Sequence, residues 1–197
     1  MFRLDKILEH WTTIYKPMQH NPSATAKPEE KAFFLIDRFD LENEWTRVFN
    51  VLKKPCLCYS TTIDAELTKD NQKAVVYNYG FYLLAKQRVS NNYMQDDEGA
   101  AETKYDLNGM VLDLMAWLFA VRSIATGKTP PSAIPGISAK DILLDPEMKN
   151  GLRGLQLERM SWWSAPRLKN GWWVLGVELD GIDPRPLCIN QEDYISE

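Results

Sequence analysis

The sequence predicts an α+β fold: a two-layer arrangement in which helices cover one face of a mostly antiparallel sheet, followed by an extended C-terminal arm. Three observations carry that prediction. Apolar residues recur at helical spacing over residues 4–15, and again over a longer span from Leu107 to Ala125. Between and after these helices stand runs with strand alternation, the clearest at residues 75–84. Successive strands are joined by short turns, which favours antiparallel pairing and hence an α+β rather than an α/β sheet.

The chain has 197 residues and a mass of 22.7 kDa, which suits one domain, residues 1–181, and the arm, residues 182–197. A compact fold of this size buries roughly 70% of its unfolded surface, so its core needs no disulfide or metal staple. With 45% hydrophobic and 25% charged residues, the composition is globular and excludes the disordered class. A net charge of −4 argues against coating nucleic acid by bulk charge, and no sequence-specific nucleic-acid partner is expected. Apolar runs are short and broken by charge, so no membrane span is expected. The opening stretch, residues 1–11, carries acids inside its apolar pattern and lacks the apolar core of a signal peptide, which predicts a soluble chain. Three cysteines, Cys56, Cys58 and Cys188, cannot complete a disulfide framework and fit a reducing compartment.

The first helix is carried by Leu4, Ile7, Leu8, Trp11, Ile14 and Tyr15, and Pro17 stops it. Residues 17–31, with three prolines, read as a loop, and Ala32 to Ile36 as a short buried strand. Asp40 can cap a second helix through Leu41, Trp45, Val48, Phe49 and Leu52, which Pro55 ends. Cys56 to Ile63 reads as a strand, residues 64–72 as a polar turn, and residues 75–84 as the returning strand. A polar linker over 87–98 leads to the long helix, which Gly127 closes. Residues 128–137 form an irregular excursion, and Asp145-Pro146 starts a short helix that fades at Asn150-Gly151. Leu155 to Trp163 and Trp172 to Leu179 read as a final strand pair, broken at Gly181.

Patterns that could carry chemistry are thin. Gly127-Lys128-Thr129 suggests a phosphate loop, but that motif needs a glycine where Arg122 stands, and a helix rather than a strand precedes it. Cys56 and Cys58 share one face of a strand without a second ligand pair, so they read as buried thiols rather than a zinc site or a nucleophile. His10 and His20 lie in different settings and support no Ser-His-Asp arrangement. Asp96, Asp97 and Glu98 precede the long helix, where carboxylates are favoured by the helix dipole; no cluster elsewhere completes a metal site. No catalytic, cofactor-binding or metal-ligating residue is therefore assigned, and no cofactor is expected.

The tryptophans are more telling. Four of the seven form the doublets Trp162-Trp163 and Trp172-Trp173, and in a strand each doublet turns one indole in and one out. Trp173 is expected in the core with Leu175, Val177 and Leu179. The outward indoles, among Trp162, Trp163 and Trp172, are expected at an interface with protein rather than nucleic acid, because neighbouring acids dilute the basic residues. In the arm, Pro184 and Pro186 enforce extended backbone, and Leu187, Ile189 and Tyr194 offer apolar side chains for a neighbouring sheet edge.

The order of elements resembles that of the tail terminator or tail-completion proteins of tailed phages and prophages. The resemblance rests on the opening helix Leu4 to Tyr15, the early strand Ala32 to Ile36, the Pro55-Cys56-Leu57 strand entry, the 75–84 strand feeding the long helix, and the closing pair with Gly171-Trp172-Trp173. It spans about residues 1 to 180 as a pattern, and departs at the 128–150 excursion and the arm. It implies a non-enzymatic virion assembly protein that forms a ring capping the tail tube at the capsid neck. Its partners would be copies of itself and other tail or neck proteins, met in the host cytoplasm. The alternative expectation is a small hydrolase or transferase built on scattered carboxylates or Cys56.

Overall fold

The computed structural model describes residues 3–36, 52–61, 64–67, 75–87, 96–130, 146–165 and 171–183. In chain order these form helix α1 (Leu4–Ile14), strands β1 (Phe33–Ile36), β2 (Cys56–Ser60), β3 (Asp64–Leu67) and β4 (Val75–Lys86), and the long helix α2 (Asp96–Ala125). Helix α3 (Pro146–Gly154) and strands β5 (Ser161–Ala165) and β6 (Trp172–Asp183) follow. The helix expected over 41–52 lies outside the described residues except for its last position, Leu52, which is buried.

The strands form one mixed sheet in the order β1-β2-β4-β6-β5, with β3 pairing β4 beyond the end of β2. Six segments thus fill five positions. Among the described strands only β1–β2 is parallel, and residues 37–55 between them are long enough for the crossover that parallel strands require. All other pairs are antiparallel, so the α+β expectation is met. The longest ladder joins β4 to β6, from Val75↔Asp183 to Lys86↔Trp172.

Alternation along that ladder defines two faces. Tyr79, Phe81, Leu83 and Ala85 of β4 stand beside Leu179, Val177, Leu175 and Trp173 of β6. α2 lies over this face: Lys104 sits above the Trp173 ring at 4.3 Å, and the Trp162 indole N–H donates to Asn108 Oδ1 at 3.1 Å. Its inner residues Leu107, Val111, Leu114, Leu118 and Val121 are buried there, as their spacing predicts. α1 covers the β1–β2 end through Leu4, Ile7, Leu8 and Trp11, and touches α2 where the Tyr15 hydroxyl donates to Asp113 Oδ2 at 2.8 Å. At the sheet's centre the second face is buried too, at Cys56, Cys58, Leu84, Trp172 and Val174.

The remaining differences have local causes. The polar residues 64–67, expected in a turn, pair with Asn78 to Val75, because the twelve-residue β4 offers backbone partners beyond the end of β2. α2 starts at Asp96 and takes in the three acids placed ahead of it, whose sequence positions suit the positive end of the helix dipole. It closes as expected: Gly127 has φ 75°, its N–H donates to Ile124 C=O at 2.9 Å, and the Lys128 N–H donates to Ser123 C=O at 2.9 Å. α3 continues past Asn150-Gly151 to Gly154, and a 3-10 turn at Leu157–Arg159 delays β5 to Ser161. Gly181 does not break β6, which runs on to Asp183. A Cβ there would come within 2.8 Å of the Tyr79 ring, so the glycine permits close approach rather than ending the strand.

α2 also departs from the expectation of no membrane span, since residues 100–125 are long and apolar enough to cross a bilayer. Counting uninterrupted apolar runs missed this because Glu102, Lys104, Asp106, Asp113 and Arg122 divide the stretch. Its inner face is packed on the sheet, as in the core helix of a globular domain.

Four substitutions test this packing. Leu114→Ala should lower unfolding free energy by about 2–5 kcal/mol in a urea titration, whereas exposed Lys128→Ala should leave it nearly unchanged. Gly109→Ala, mid-helix with open space around it, should raise stability by about 0.5–1 kcal/mol. Gly154→Ala would drive a methyl group into the Ile182 carbonyl and should lower stability by about 1–3 kcal/mol. Equal effects at Leu114 and Lys128 would show that the buried face is misassigned.

Candidate interaction surface and cleft

α2 is apolar on its outer side as well as its inner one. Tyr105, Leu112 and Phe119 recur every seven residues, close to two turns, and are 80%, 56% and 41% exposed. Around them on the same face lie Ala101, Asn108, Gly109, Met115 and Ala116, so the arc centred on Leu112 carries no charge from 101 to 123. A helix of a monomeric domain ordinarily turns charged residues outward there.

β5 adds to this surface as the outermost strand at its end of the described sheet. Trp162 faces α2 and remains 37% exposed, while Trp163 lies on the opposite face over Gly176 and is 42% exposed. A Cβ at Gly176 would fall 2.5 Å from the Trp163 ring, so the glycine makes room for the indole. Both members of this doublet therefore reach solvent, where one inward and one outward ring was expected. Among the described residues β5 is flanked by β6 alone, so neither ring is enclosed at that edge.

The other doublet corrects the interface expectation. Trp172 is 1% exposed and fully within the subunit, because β6 is a central strand covered on both faces, where alternation no longer separates inside from outside. Trp173 does face the core side but is half-buried, its indole N–H donating to Gln87 Oε1 at 3.3 Å. Leu187, Ile189 and Tyr194 lie outside the described residues. Sequence reasoning passed over the outer face of α2, although the seven-residue spacing of Tyr105, Leu112 and Phe119 was its signal.

A cleft of about 520 Å³ opens on one flank of α2, between the end of α1, the entry to β2 and the end of β4. Lys53, Lys86, Asp106 and Asp113 bring two ammonium groups and two carboxylates to its walls, with Tyr15 and Thr103. Burial pushes the Tyr15 phenol well above its ordinary value, and the bond to Asp113 pushes further. Asp113 thus anchors α1 to α2 as a hydrogen-bond acceptor.

The thiols are not placed for chemistry. Cys56 and Cys58 are fully buried, and burial pushes the Cys56 thiol well up, away from the reactive thiolate. His20 is also buried: its Nδ1 accepts the Ala32 N–H at 3.0 Å, which fixes the entry to β1 and requires the neutral ring with its proton on Nε2, 3.7 Å from Glu9 Oε1. Burial holds His20 below its ordinary value, against the pull of Glu9. His10 lies against Trp117 with ring centroids 6.4 Å apart, and His10 Nε2 and Trp117 Nε1 are buried without a hydrogen-bond partner among the described residues. At the suggested phosphate loop, the Gly127 and Lys128 N–H groups are engaged by the helix end. Among the described residues no group of three His, Cys, Asp or Glu side chains gathers as a metal site. No protein-family model, curated protein or solved structure matches the chain.

Two measurements test these assignments. Because folding favours neutral His20, its contribution is complete above about pH 6.5 and is lost as pH falls through the lowered folded value. His20→Gln should flatten that part of the pH–stability curve; an unchanged slope would remove His20 from the account. Cys56 and Cys58 should resist a thiol reagent in the folded chain at neutral pH and react on denaturation; rapid labelling of both in the native state would contradict their burial.

Proposed function

We propose that the chain is a non-enzymatic virion assembly protein, a subunit resembling tail terminators or connectors that self-associates into a ring joining tail to capsid neck. Its partners would be further copies of itself and other tail or neck proteins, encountered in the host cytoplasm. The observation that carries this reading is the exposed apolar area of α2 and β5: Tyr105, Leu112 and Phe119 with Trp162 on the helix side of the sheet, and Trp163 on its other face. Large exposed aromatics of this kind are enriched at protein interfaces and supply most of the energy when buried there.

An enzymatic reading draws on the cleft, where Asp106 and Asp113 face Lys53 and Lys86. It stands second because Asp113 is already engaged by Tyr15, and because the buried Cys56 offers no accessible nucleophile.

Light scattering over a concentration series tests the assembly reading, together with electron microscopy of stained particles. The expected result is a mass of several subunits, weakened by Trp163→Ser and little affected by salt, since apolar contacts are not screened. A strictly monomeric chain at every concentration would overturn it.

A further inference from the structure

We propose that the arm of one copy adds as a strand to the outer edge of β5 in the next, with Cys188 beside Ser164 and with Leu187 and Ile189 on the face of Trp163. The inference rests on the self-association reading and names one of its contacts.

β5 is a receptive edge. Among the described residues its backbone pairs with β6 alone, so its outward N–H and C=O groups lack a protein partner. Sheet edges are ordinarily blunted by lysine, proline or an inward-pointing charge, and Ser161-Trp162-Trp163-Ser164-Ala165 carries none of them. The Trp163 ring stands over Gly176, which gives it no side-chain wall on the β6 side, and it stays 42% exposed. An added strand would wall it on the open side. The arm has the pattern for this: Pro184 and Pro186 favour extended backbone, and Leu187 and Ile189 alternate with Cys188 and Asn190. With Leu187 and Ile189 toward Trp163, the small Cys188 and the polar Asn190 fall on the side where α2 reaches β5 through Asn108 and Trp162.

Reach decides between the chain's own edge and a neighbour's. Ser164 pairs with Leu175, eight residues before Asp183, so the position outside Ser164 lies about 26 Å back along the sheet and about 10 Å across it. The five residues from Asp183 to Cys188 span at most about 18 Å, so Cys188 cannot meet Ser164 of its own chain. The strip beside the end of β6 is occupied besides, by the Leu155–Gly181 bridge and by the Gln156 N–H donating to Asp180 C=O at 2.8 Å. Charge selects the same occupant. Residues 159–177 carry Arg159, Arg167 and Lys169 and no acid, whereas residues 186–197 carry Glu192, Asp193 and Glu197 and no base. With Cys188 beside Ser164, Asp193 comes level with Arg159 in an antiparallel strand and with Lys169 in a parallel one. Arg159 makes no ion pair among the described residues; its neighbour Glu158 is held by Arg122 at 2.8 Å, and Glu178, opposite Ser161, lies one strand further in. A two-fold β5–β5 pair centred on Trp163 would instead set Arg159 against Arg167. Such charges direct and speed encounter more than they hold it, so the assembled fraction stays insensitive to salt. Arm and edge are unlike surfaces, and a contact between them repeats head to tail and can close a ring.

The test is cross-linking to the native Cys188, since Cys56 and Cys58 are buried. The full chain carrying Ser164→Cys is exposed to copper–phenanthroline in air, with Ser161→Cys, whose side chain points to the other face, as the comparison. The expected result is disulfide-linked multimers from Ser164→Cys, lost when Cys188→Ser is added, and none from Ser161→Cys. In sedimentation experiments, Leu187→Ser with Ile189→Ser should weaken association at least tenfold and leave the melting temperature unchanged. A disulfide within one chain, or a lowered melting temperature in that double variant, would overturn the exchange and assign the arm to its own subunit. Multimers that persist without Cys188, equal cross-linking from both serine positions, or none while larger assemblies persist would also overturn the arm contact and leave self-association standing. A monomeric wild-type chain at all concentrations would overturn both.

Discussion

The pairing of β4 with β6 is the constraint on which the rest of the structure depends. Its register, from Val75↔Asp183 to Lys86↔Trp172, sets Tyr79, Phe81 and Leu83 beside Leu179, Val177 and Leu175, and so creates the apolar floor on which α2 lies. A slip of one residue would turn Asn78, Gly80 and Tyr82 toward the helix instead. The opposite face pins the same register, since the Asn78 amide donates to Asp180 Oδ1 at 3.0 Å. The ladder also explains both glycines of β6. Gly181 leaves room for the Tyr79 ring and Gly176 for Trp163, so each marks a close approach that the pairing imposes.

Most of the fold was legible because its signals are local and periodic. The buried stripe of α2 and the alternation of β4 report directly which face is apolar, and the Gly127 closure follows from the left-handed backbone that glycine tolerates. Features that depend on a distant partner were not legible. Asp64–Leu67 alternates polar and apolar residues over only four positions, too short a run to read as a strand alone; those residues pair because β4 is long enough to receive them. The continuation of β6 through Gly181 is likewise decided by its partner, where an isolated glycine reads as a stop.

The candidate surface was half legible for the same reason. Alternation separates inside from outside only where one face of a strand is covered, so it could not show that Trp172 on central β6 is sealed or that both Trp162 and Trp163 on β5 reach water. The outer face of α2 was hidden by a different confusion. In a helix with two apolar faces, the periodicity of the inner face blends with that of the outer one, and only the seven-residue spacing of Tyr105, Leu112 and Phe119 separates them. Which of the two faces meets the sheet is a tertiary fact.

The energetic meaning of that outer face follows from where its side chains sit. Tyr105 and Leu112, which keep most of their area in water, add little to the stability of a single chain, because apolar area contributes about 25 cal/mol per Å² only when it leaves water. Lysine or glutamate at Leu112 would serve the isolated helix about as well, since their helix propensities are close to that of leucine. Ion pairs with the flanking residues would then be within reach as well. The inner residues, by contrast, hold α2 to the β4–β6 ladder whatever lies outside it. The two sides of the helix thus differ in what they serve: the inner side serves folding, and the outer side, on the proposed reading, serves association. That division is why polar substitution at Leu112 separates assembly from stability, whereas shortening Leu114 on the inner side cannot.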